Sequence, residues 1–588
     1  MPHSPFLARF LRACSRRKPI IYIGGVAEAR TIANLWRNAV VAGHADPAYL
    51  HEVDGEWREV SRAEAARAVD ELANGLLALG VQKGDSFGVL ARTSLEWALF
   101  DFALALVGAV GAPIYANSSP RDVQYVLDHS RAVGVLVEDE EQRAKVAGVD
   151  NVISFAELDD LRARGREYAS QHPDALRQRG DSIDEDDLFT FIYTSGTTGP
   201  PKACMIRHRN YHAMVQKGDE LEERLTEPGD LMLLYLPLAH NYGRLLHLSA
   251  AYIGFTIAFL PDPLRAGAEL PRVRPTLFPS VPRVYEKVHT AVLAKFEEET
   301  GPRRKLIDWA LDVGRRVSKL RQARQPVPRL LLVQHRLADK LVYSKVKARL
   351  GGRLRVANAG GAPLSRDIAE FFHAIDILIL EGYGLSEVTT AATVNRHDDF
   401  KFGTVGKPLP GVEIRIADDG EILIRSNTVF AGYYRDEAAT REVLDDEGFV
   451  HTGDVGHFDE DGFLVITDRK KDIIVTAGGK NVAPQNLENE LKAHSIVSQA
   501  LVVGDRRPYV AALITVDPEV ANGADVGAAV QEAVDSVNAE RSRYEQIKRF
   551  VVLSREFTLE HGEMTPTLKL KRKVVLEHFA DEVDALYD

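Results

Sequence analysis

The segment 188–202 constrains the fold of this chain more than any other stretch, because an apolar run ends there in a dense cluster of polar donors. Residues 188–193 are mostly apolar, aromatic or β-branched, which predicts a buried strand. In the next nine positions, glycines let backbone N–H groups approach an anion, hydroxyls donate hydrogen bonds and a lysine adds positive charge. We therefore predict a polyphosphate-binding loop rather than a polar surface turn. Its residues are Thr194, Ser195, Gly196, Thr197, Thr198, Gly199 and Lys202.

Composition excludes some classes of partner. The chain has 588 residues, enough for about four domain-sized units, and 45% of them are hydrophobic. Its net charge of −12 argues against binding of nucleic acid, whose phosphates would repel it. Cys14 and Cys204 are far apart and lack metal-ligand spacing, which favours a reducing, cytoplasmic location over a disulfide framework. No apolar run in the sequence approaches the length of a membrane span.

Helical and strand patterns alternate along the chain. Helical spacing at 62–79 and 95–107 alternates with apolar runs at 86–90, 111–115 and 133–137, which predicts an α/β fold of largely parallel strands. Two further strands, within 354–363 and at 376–380, run into small or polar residues. Because open α/β sheets bind ligands at the carboxyl ends of their strands, we expect these polar clusters to meet at the edge of one sheet.

The motif Tyr193-Thr-Ser-Gly-Thr-Thr-Gly-Pro-Pro-Lys202 resembles the AMP-binding signature of the adenylate-forming enzymes, which include acyl-CoA synthetases, peptide-synthetase adenylation domains and luciferases. The resemblance extends from about Asp46 to near the C-terminus, and the chain is most similar to the long-chain fatty acyl-CoA synthetases. It implies a basic tail and lead-in at 1–45, a large α/β domain of parallel-rich sheets at 46–468, a hinge at 469–472 and a smaller, mobile α+β domain at 473–588. A helical hairpin at about 301–350 and a β-rich subdomain at about 400–468 lie within the large domain.

The resemblance also implies roles for single residues. In the family, Tyr383 stacks on adenine, Ser386 approaches the phosphates and Glu387 holds Mg²⁺. His240 matches a position beside the reacting carboxylate, and Asp454 matches one that binds the ribose diol. By itself, a lone histidine is more often a hydrogen-bonded core residue, and an aspartate after glycine is common in surface turns. The other implied nucleotide contacts are Gly360, Gly361, Ala362, Gly384 and Arg469.

The resemblance implies a rotation of the C-terminal domain between two half-reactions. Lys471 matches the pivot, and Gly478 and Gly479 would border the CoA channel after the rotation. Lys569 matches the catalytic lysine of a terminal loop. The residue before it departs from the family's glycine, so a register shifted to Lys571 stays open.

The implied function is ATP-dependent ligation of a fatty acid, expected to be long-chain, to CoA through an acyl-adenylate, with Mg²⁺ as cofactor and AMP and pyrophosphate as products. Transfer of the acyl group to a carrier protein is the alternative, since the hinge and terminal lysine would look alike in both. A non-catalytic nucleotide sensor predicts loss of the charged residues, which are all present. A luciferase-type oxidation is disfavoured by the inserted hairpin, which resembles the long-chain synthetases.

Two segments are basic in this acidic chain. Residues 1–24 contain five cations before the first acid, Glu28, and fit either a short amphipathic membrane anchor or a frayed tail. One face of the 301–350 hairpin is predicted to contact anionic lipid headgroups where the fatty acid enters, with a solvated basic face as the alternative. Its cations are Arg303, Arg304, Lys305, Arg315, Arg316, Lys319, Arg321 and Arg324, against Asp308 and Asp312.

Overall fold

Two large sheets and their flanking helices form the N-terminal part of the molecule in the computed structural model. The structure describes residues 29–194, 200–221, 225–516, 525–539, 541–558, 560–565 and 570–588. The predicted tail at 1–24, the loop residues 195–199 and Lys569 lie outside these ranges. The α/β expectation is confirmed.

Within the described residues, the larger sheet has nine strands. Its centre is parallel, whereas three edge strands run antiparallel to their neighbours. Hydrophobic strands buried on both sides are typical of parallel sheets covered by helices. In sheet order the strands are Lys407–Pro408, Thr393–Val394, Ile379–Tyr383, Val356–Ala359, Leu277–Ser280, Leu231–Leu234, Thr256–Phe259, Tyr49–Val53 and Glu56–Val60.

The second sheet has six strands in the described part of the chain. The predicted strands at 86–90, 111–115 and 133–137 lie here side by side in parallel. The strand Lys202–Arg207 returns antiparallel to Leu188–Thr194, so the predicted phosphate loop joins the two arms of a hairpin. In sheet order the strands are Asn151–Ser154, Ala132–Val137, Ser86–Leu90, Val110–Ile114, Leu188–Thr194 and Lys202–Arg207.

The helices begin at polar caps and bury apolar faces between the sheets. Arg62–Ala78 starts at a Ser61 capping box, and Leu95–Val107 starts at Ser94 and is buried along nearly its whole length. Asp376 adopts a left-handed φ of 61° after the helix Arg366–Ala374, so the strand predicted at 376–380 starts only at Ile379. The remaining α-helices of this part are Ile32–Val41, Pro120–Ser130, Glu140–Arg143, Leu158–Gln171, Ala175–Asp181, His208–Glu220, Asn241–Ile253, Ala266–Val273, Pro282–Glu297, Gly301–Gln322, Arg329–Ala338, Ser344–Arg349 and Glu437–Val443.

The helix Ile32–Val41 corrects the domain boundary expected at residue 46. Ile32, Leu35 and Trp36 are buried in the same core as both large sheets, and Trp36 stacks on Phe102 with 4.2 Å between the ring centroids. The large unit therefore includes this helix. Alternation along 62–137 revealed the layers, but a ten-residue helix ahead of the first strand carries no such periodic context.

The predicted β-rich subdomain forms a four-stranded antiparallel sheet among the described residues, with the strands Glu413–Ile416, Glu421–Arg425, Val450–Phe458 and Leu464–Arg469 in order. The C-terminal part follows directly. Its strands are Ile474–Val475, Asn481–Val482, Val497–Val503, Val510–Val516 and Ile547–Val552, and its helices are Pro484–Lys492, Val526–Ala539, Arg572–His578 and Ala580–Ala585. Separate hydrophobic clusters form its core.

Candidate active site

A cavity of about 3140 Å³, here called the central cavity, lies among both large sheets, the β-rich subdomain and the C-terminal part. It brings together nearly all of the predicted site residues that the structure describes. Gly478 and Gly479 are exposed and do not line it. The predicted residues along its wall are Thr194, Lys202, His240, Gly360, Gly361, Ala362, Tyr383, Gly384, Ser386, Glu387, Asp454, Arg469 and Lys471.

The expectation of one shared sheet edge is confirmed for the turns that follow Val356–Ala359 and Ile379–Tyr383, which are neighbouring parallel strands of one sheet, but it is wrong for the other residues of the site. Thr194 and Lys202 belong to the six-stranded sheet, Tyr383 ends a strand of the nine-stranded sheet, and Asp454 lies in the β-rich subdomain. The site is therefore a junction of three sheets. Thr194 and Tyr383 stand at strand ends, whereas Asp454 lies within the strand Val450–Phe458. The packing of separate sheets against one another leaves no pattern in the local sequence.

The arms of the phosphate-loop hairpin are fixed on the helix Pro120–Ser130. The Tyr125 hydroxyl donates to the Pro201 carbonyl oxygen at 3.0 Å. The Tyr193 hydroxyl donates to the Val126 carbonyl oxygen at 3.3 Å and lies 3.1 Å from His129 Nδ1. Sequence reasoning missed these anchors. They hold the start and the end of the loop at defined positions on the cavity wall.

The turn after Tyr383 is closed tightly. A Cβ atom at Gly384 would lie 2.0 Å from the Thr390 carbonyl oxygen, so only glycine fits there. Thr389 and Thr390 have φ angles of 54° and 98°, which are strained for β-branched residues. Asn241 braces the turn by donating from Nδ2 to the Ser386 carbonyl oxygen at 3.4 Å. Ser386 and Glu387 are thereby held at the wall.

Glu387 has a partner that the sequence analysis did not identify. The Tyr433 hydroxyl donates to Glu387 Oε1 at 2.6 Å, and Lys202 Nζ lies 5.1 Å from the centroid of the Tyr433 ring. The segment 431–434 pairs along the strand Lys202–Arg207, which carries Tyr433 to the site. Burial, followed by the Glu387 charge, raises the pKa of Tyr433 well above its usual value, so the phenol stays a donor.

Asp454 links the β-rich subdomain to the nine-stranded sheet. Its Oδ2 accepts from the Tyr383 hydroxyl at 2.7 Å, and its Oδ1 lies 3.1 Å from Arg469 Nε. Asp454 and Arg469 are direct cross-strand partners, which explains their ion pair. Burial raises the pKa of Tyr383 well above its ordinary value, and the Asp454 carboxylate adds to that shift. The phenol therefore stays a donor to the carboxylate, and this hydrogen bond fixes both groups beside the cavity.

His240 caps the helix Asn241–Ile253. Its Nδ1 accepts a hydrogen bond from the Tyr242 backbone N–H at 3.1 Å, so the proton of the neutral ring lies on Nε2. Tyr242 also packs near Gly360, where an added Cβ would lie 3.3 Å from its ring. Gly360 thus adjoins Tyr242, and His240 and the small residues of 360–362 line the same cavity.

Two buried carboxyl groups at the site have raised pKa values. Burial raises the pKa of Glu381 to about 7, although its Oε1 accepts the Leu364 backbone N–H at 3.1 Å. Burial likewise raises the pKa of Asp468 to about 6. Asp468 Oδ2 accepts the Gln485 backbone N–H at 3.0 Å, so it joins the end of the β-rich subdomain to the first turn of Pro484–Lys492.

Further contacts hold the C-terminal part against the large unit. Arg283 donates to the Ser498 carbonyl oxygen at 2.5 Å and to Ser498 Oγ at 2.7 Å. Lys492 Nζ lies 3.4 Å from Glu286 Oε1. With the C-terminal part docked in this way, Met564, Leu570 and Lys571 line the central cavity. The flanks of the predicted lysine loop therefore face the predicted nucleotide-binding residues.

Comparison with known proteins identifies the family. A family model described as AMP-binding enzyme matches residues 35–434, and one described as AMP-binding enzyme C-terminal domain matches residues 471–588. The chain belongs to the AMP-binding enzyme family. Most of the described cavity residues of this AMP-binding enzyme, from Thr194 to Tyr433, lie in the first matched region, and Lys471 and Lys571 lie in the second.

Relatives of this AMP-binding enzyme include two curated ligases. The long-chain-fatty-acid–CoA ligase FadD15 of Mycobacterium bovis is 41% identical over 572 residues, covering 92% of this chain and 94% of that protein. The long-chain-fatty-acid–CoA ligase ACSBG2 of Xenopus laevis is 31% identical over 597 residues, covering 90% of this chain and 80% of that protein.

The fold of this AMP-binding enzyme is that of solved adenylate-forming structures. The adenylation domain of a carboxylate reductase from Mycobacterium chelonae superposes with a TM-score of 0.77 at 22% identity, covering 100% of this chain and 98% of that one. The anthranilate CoA ligase AuaEII, solved with anthranoyl-AMP, superposes with a TM-score of 0.73 at 20% identity, covering 95% and 99%. The predicted architecture, a large α/β unit with a smaller C-terminal unit, is confirmed.

Proposed function

We propose that this enzyme joins a long-chain fatty acid to CoA through an acyl-adenylate, consuming ATP and releasing AMP and pyrophosphate. The observation that supports the proposal is the central cavity, which is lined by most of the described residues predicted to bind the nucleotide, in a chain 41% identical, over nearly its full length, to a long-chain-fatty-acid–CoA ligase.

The first half-reaction activates an unreactive acid. A carboxylate oxygen of the fatty acid attacks the α-phosphorus of ATP, a P–O bond forms, and pyrophosphate leaves with the electrons of the broken bond. Negative charge gathers on the non-bridging oxygens, so the protein contributes positioning and positive charge. Lys202 and the loop 194–199 hold the β- and γ-phosphates, and Lys569 approaches the reacting phosphate. The His240 Nε2–H orients the attacking carboxylate.

The same cavity positions the nucleoside. Tyr383 stacks on adenine above the small-residue turn 360–362, while Asp454 and Arg469 bind the ribose hydroxyls. In the second half-reaction the C-terminal domain turns about Lys471, which moves Lys569 away and brings Gly478 and Gly479 beside the CoA chain. The CoA thiolate then attacks the acyl carbonyl, and AMP leaves.

The residues present fit a Mg²⁺ ion that is bound together with the substrate. Mg²⁺ in such sites takes one or two carboxylates plus phosphate oxygens, and a dedicated protein cage is unnecessary. No cluster of three metal-ligating side chains occurs among the described residues, whereas Glu387 lines the cavity with one oxygen engaged by Tyr433. Glu387 would hold the ion, which supplies positive charge to the phosphates when bound.

The proposal is tested by AMP release from a panel of acids of different chain length, with and without CoA. We expect release to depend on ATP, CoA and a long-chain acid together. If a carrier protein supports thioester formation and CoA does not, the acceptor assigned here is wrong. If no acid yields pyrophosphate, the adenylation itself is wrong.

The arrangement in the structure suits the first half-reaction, because Lys571 and its neighbours face the nucleotide residues while Gly478 and Gly479 lie outside the cavity. Arg283 stabilises this arrangement through Ser498. We therefore expect Arg283→Ala to slow pyrophosphate release at least about tenfold, since a charged hydrogen bond contributes about 1.5–3 kcal/mol. Thioester formation from supplied acyl-AMP should be largely retained.

Arg304→Ala is the matched control, because Arg304 is half-exposed and pairs with Asp308 within one helix. It should leave both half-reactions unchanged. Equal losses in the two half-reactions of Arg283→Ala would contradict a role in docking the C-terminal domain.

We also propose a peripheral contact with an anionic membrane surface through the helix Gly301–Gln322. Its basic side is partly neutralised, since Arg304 pairs with Asp308 at 2.9 Å and Arg321 with Asp376 at 2.7 Å. Lys305, Arg315 and Lys319 are exposed and make no ion pair with any described residue. Lys319 also lines the central cavity, where the acid would enter. None of the described helices is both long and apolar enough to cross a membrane.

A further inference from the structure

The helix that follows this basic helix exposes a row of large apolar side chains. It comprises Arg329–Ala338 and continues through a π-helical turn, Asp339–Tyr343. Exposed fractions of 72%, 60%, 49% and 37% are found for Leu330, Val333, Leu337 and Leu341, which we call the apolar row. Steps of three, four and four residues place all four on one side of the helix.

Packing within the fold does not account for the apolar row. The other side of the same helix already packs, with Leu331, Ala338 and Val342 buried, and the Tyr343 hydroxyl donates to the Ala310 carbonyl oxygen of the preceding helix. An amphipathic helix needs one apolar face to dock on a protein core. This helix has a second one, which faces solvent and leaves several leucine side chains in water at a cost in free energy.

Unpaired positive charge surrounds the apolar row. Five cations on this helix and the next, Ser344–Arg349, are exposed, and none of them forms an ion pair with a residue that the structure describes. The acid of this stretch, Asp339, pairs with Lys347 at 2.8 Å. The chain as a whole carries a net charge of −12, so a cluster of unpaired cations is unusual for its composition. The cations are Arg329, Arg336, Lys340, Lys345 and Arg349.

We propose that the apolar row inserts into the interface of an anionic lipid bilayer while the five cations bind the lipid phosphates. This inference rests on the membrane contact proposed above and assigns the inserting surface to the second helix. Apolar residues flanked by lysine and arginine are the pattern of a helix that lies in the plane of a membrane surface. Each such cation adds attraction to anionic lipid.

A second copy of this chain is an unfavourable binding partner for the apolar row. A two-fold interface would set the row against itself and bring the five cations of one copy close to those of the other. A bilayer with anionic headgroups matches both the apolar and the charged features. The preceding helix, on which this one packs, lines the central cavity through Lys319 and Gln322, so a membrane bound here would supply acyl chains beside the cavity.

The test is flotation of the full chain with phosphatidylcholine vesicles that contain or lack phosphatidylserine. We expect wild type to bind the anionic vesicles, and Leu330→Ser with Leu337→Ser to weaken binding at least about tenfold, given the apolar surface lost. Leu264→Ser is the matched control, because Leu264 is a more exposed leucine, 90%, in a short turn elsewhere. It should bind like wild type. Unchanged thermal unfolding establishes that the variants fold.

A second measurement reports insertion directly. Leu337→Trp should show a blue-shifted emission and quenching by brominated lipid when anionic vesicles are added, whereas Leu264→Trp should not. The inference is overturned if the double serine variant binds as well as wild type, if neutral and anionic vesicles bind equally, or if the row mediates self-association in sedimentation.

The outcomes also distinguish insertion of the apolar row from the peripheral membrane contact of the helix Gly301–Gln322 on which this inference rests. Binding that survives loss of the apolar row but is abolished by Arg315→Gln, Arg316→Gln and Lys319→Gln would confine the contact to the first helix and reject insertion by the second. Wild type that fails to bind anionic vesicles would overturn the membrane contact as a whole.

Discussion

Lys569→Ala is expected to slow pyrophosphate release at least about a hundredfold, because removing one preorganised charge from a developing oxyanion costs about 3 kcal/mol of barrier. Thioester formation from supplied acyl-AMP and CoA should stay near the wild-type rate, since Lys569 has left the site by then in the proposed sequence. The two half-reactions are measured separately, by pyrophosphate release from ATP and acid and by CoA consumption from purified acyl-AMP.

The neighbouring lysine provides the matched control. Lys571 lines the central cavity, and its backbone N–H donates to the Glu563 carbonyl oxygen at 2.7 Å. Lys571→Ala removes a charge of the same kind two positions along the chain and should lower pyrophosphate release only a few fold. A larger loss in Lys571→Ala than in Lys569→Ala would show that the register is shifted. Equal losses in both half-reactions of Lys569→Ala would refute the division of roles.

Local pattern predicted the elements of the site well, because each motif carries its own signal. The apolar run before Thr194 and the small residues after the strand Val356–Ala359 are set by interactions a few positions apart. The Asp454–Arg469 pair could be predicted for the same reason, since the two residues face each other across one hairpin. Such motifs depend on backbone geometry that the sequence specifies locally.

The spatial arrangement of the motifs relative to one another could not be predicted from local sequence pattern. Tyr433 reaches Glu387 because its segment pairs with a strand more than two hundred residues earlier, and no periodicity records that pairing. The Arg283–Ser498 contact likewise joins two separately folded units. A one-sheet arrangement was a reasonable expectation from α/β alternation, yet three sheets meet at the site, and their apolar residues pack into one shared core. Gly432, beside Tyr433, adopts a φ of 110°, and an added Cβ there would lie 2.7 Å from Thr440, a contact that does not mark the pairing with the distant strand.

Glu387→Gln should lower pyrophosphate release about a hundredfold or more and raise the Mg²⁺ concentration needed for half-maximal rate at least about tenfold. The amide keeps the shape of the side chain and an oxygen that accepts the Tyr433 hydroxyl, so the local hydrogen bond remains. What is lost is the negative charge that would hold the ion. The measurement is a Mg²⁺ titration of pyrophosphate release at saturating ATP and acid.

Two control variants test whether the change in Mg²⁺ requirement is specific to the negative charge of Glu387. Glu381→Gln changes another cavity carboxyl, whose pKa of about 7 already leaves it partly protonated near neutral pH, so its Mg²⁺ requirement should match wild type. Tyr433→Phe removes the donor at 2.6 Å but keeps the Glu387 charge, so it should change the Mg²⁺ requirement by only a few fold. If Glu387→Gln lost activity with an unaltered Mg²⁺ requirement, the carboxylate would act on the Tyr383–Thr390 turn rather than on the ion, and the metal would have to be held by the phosphates alone.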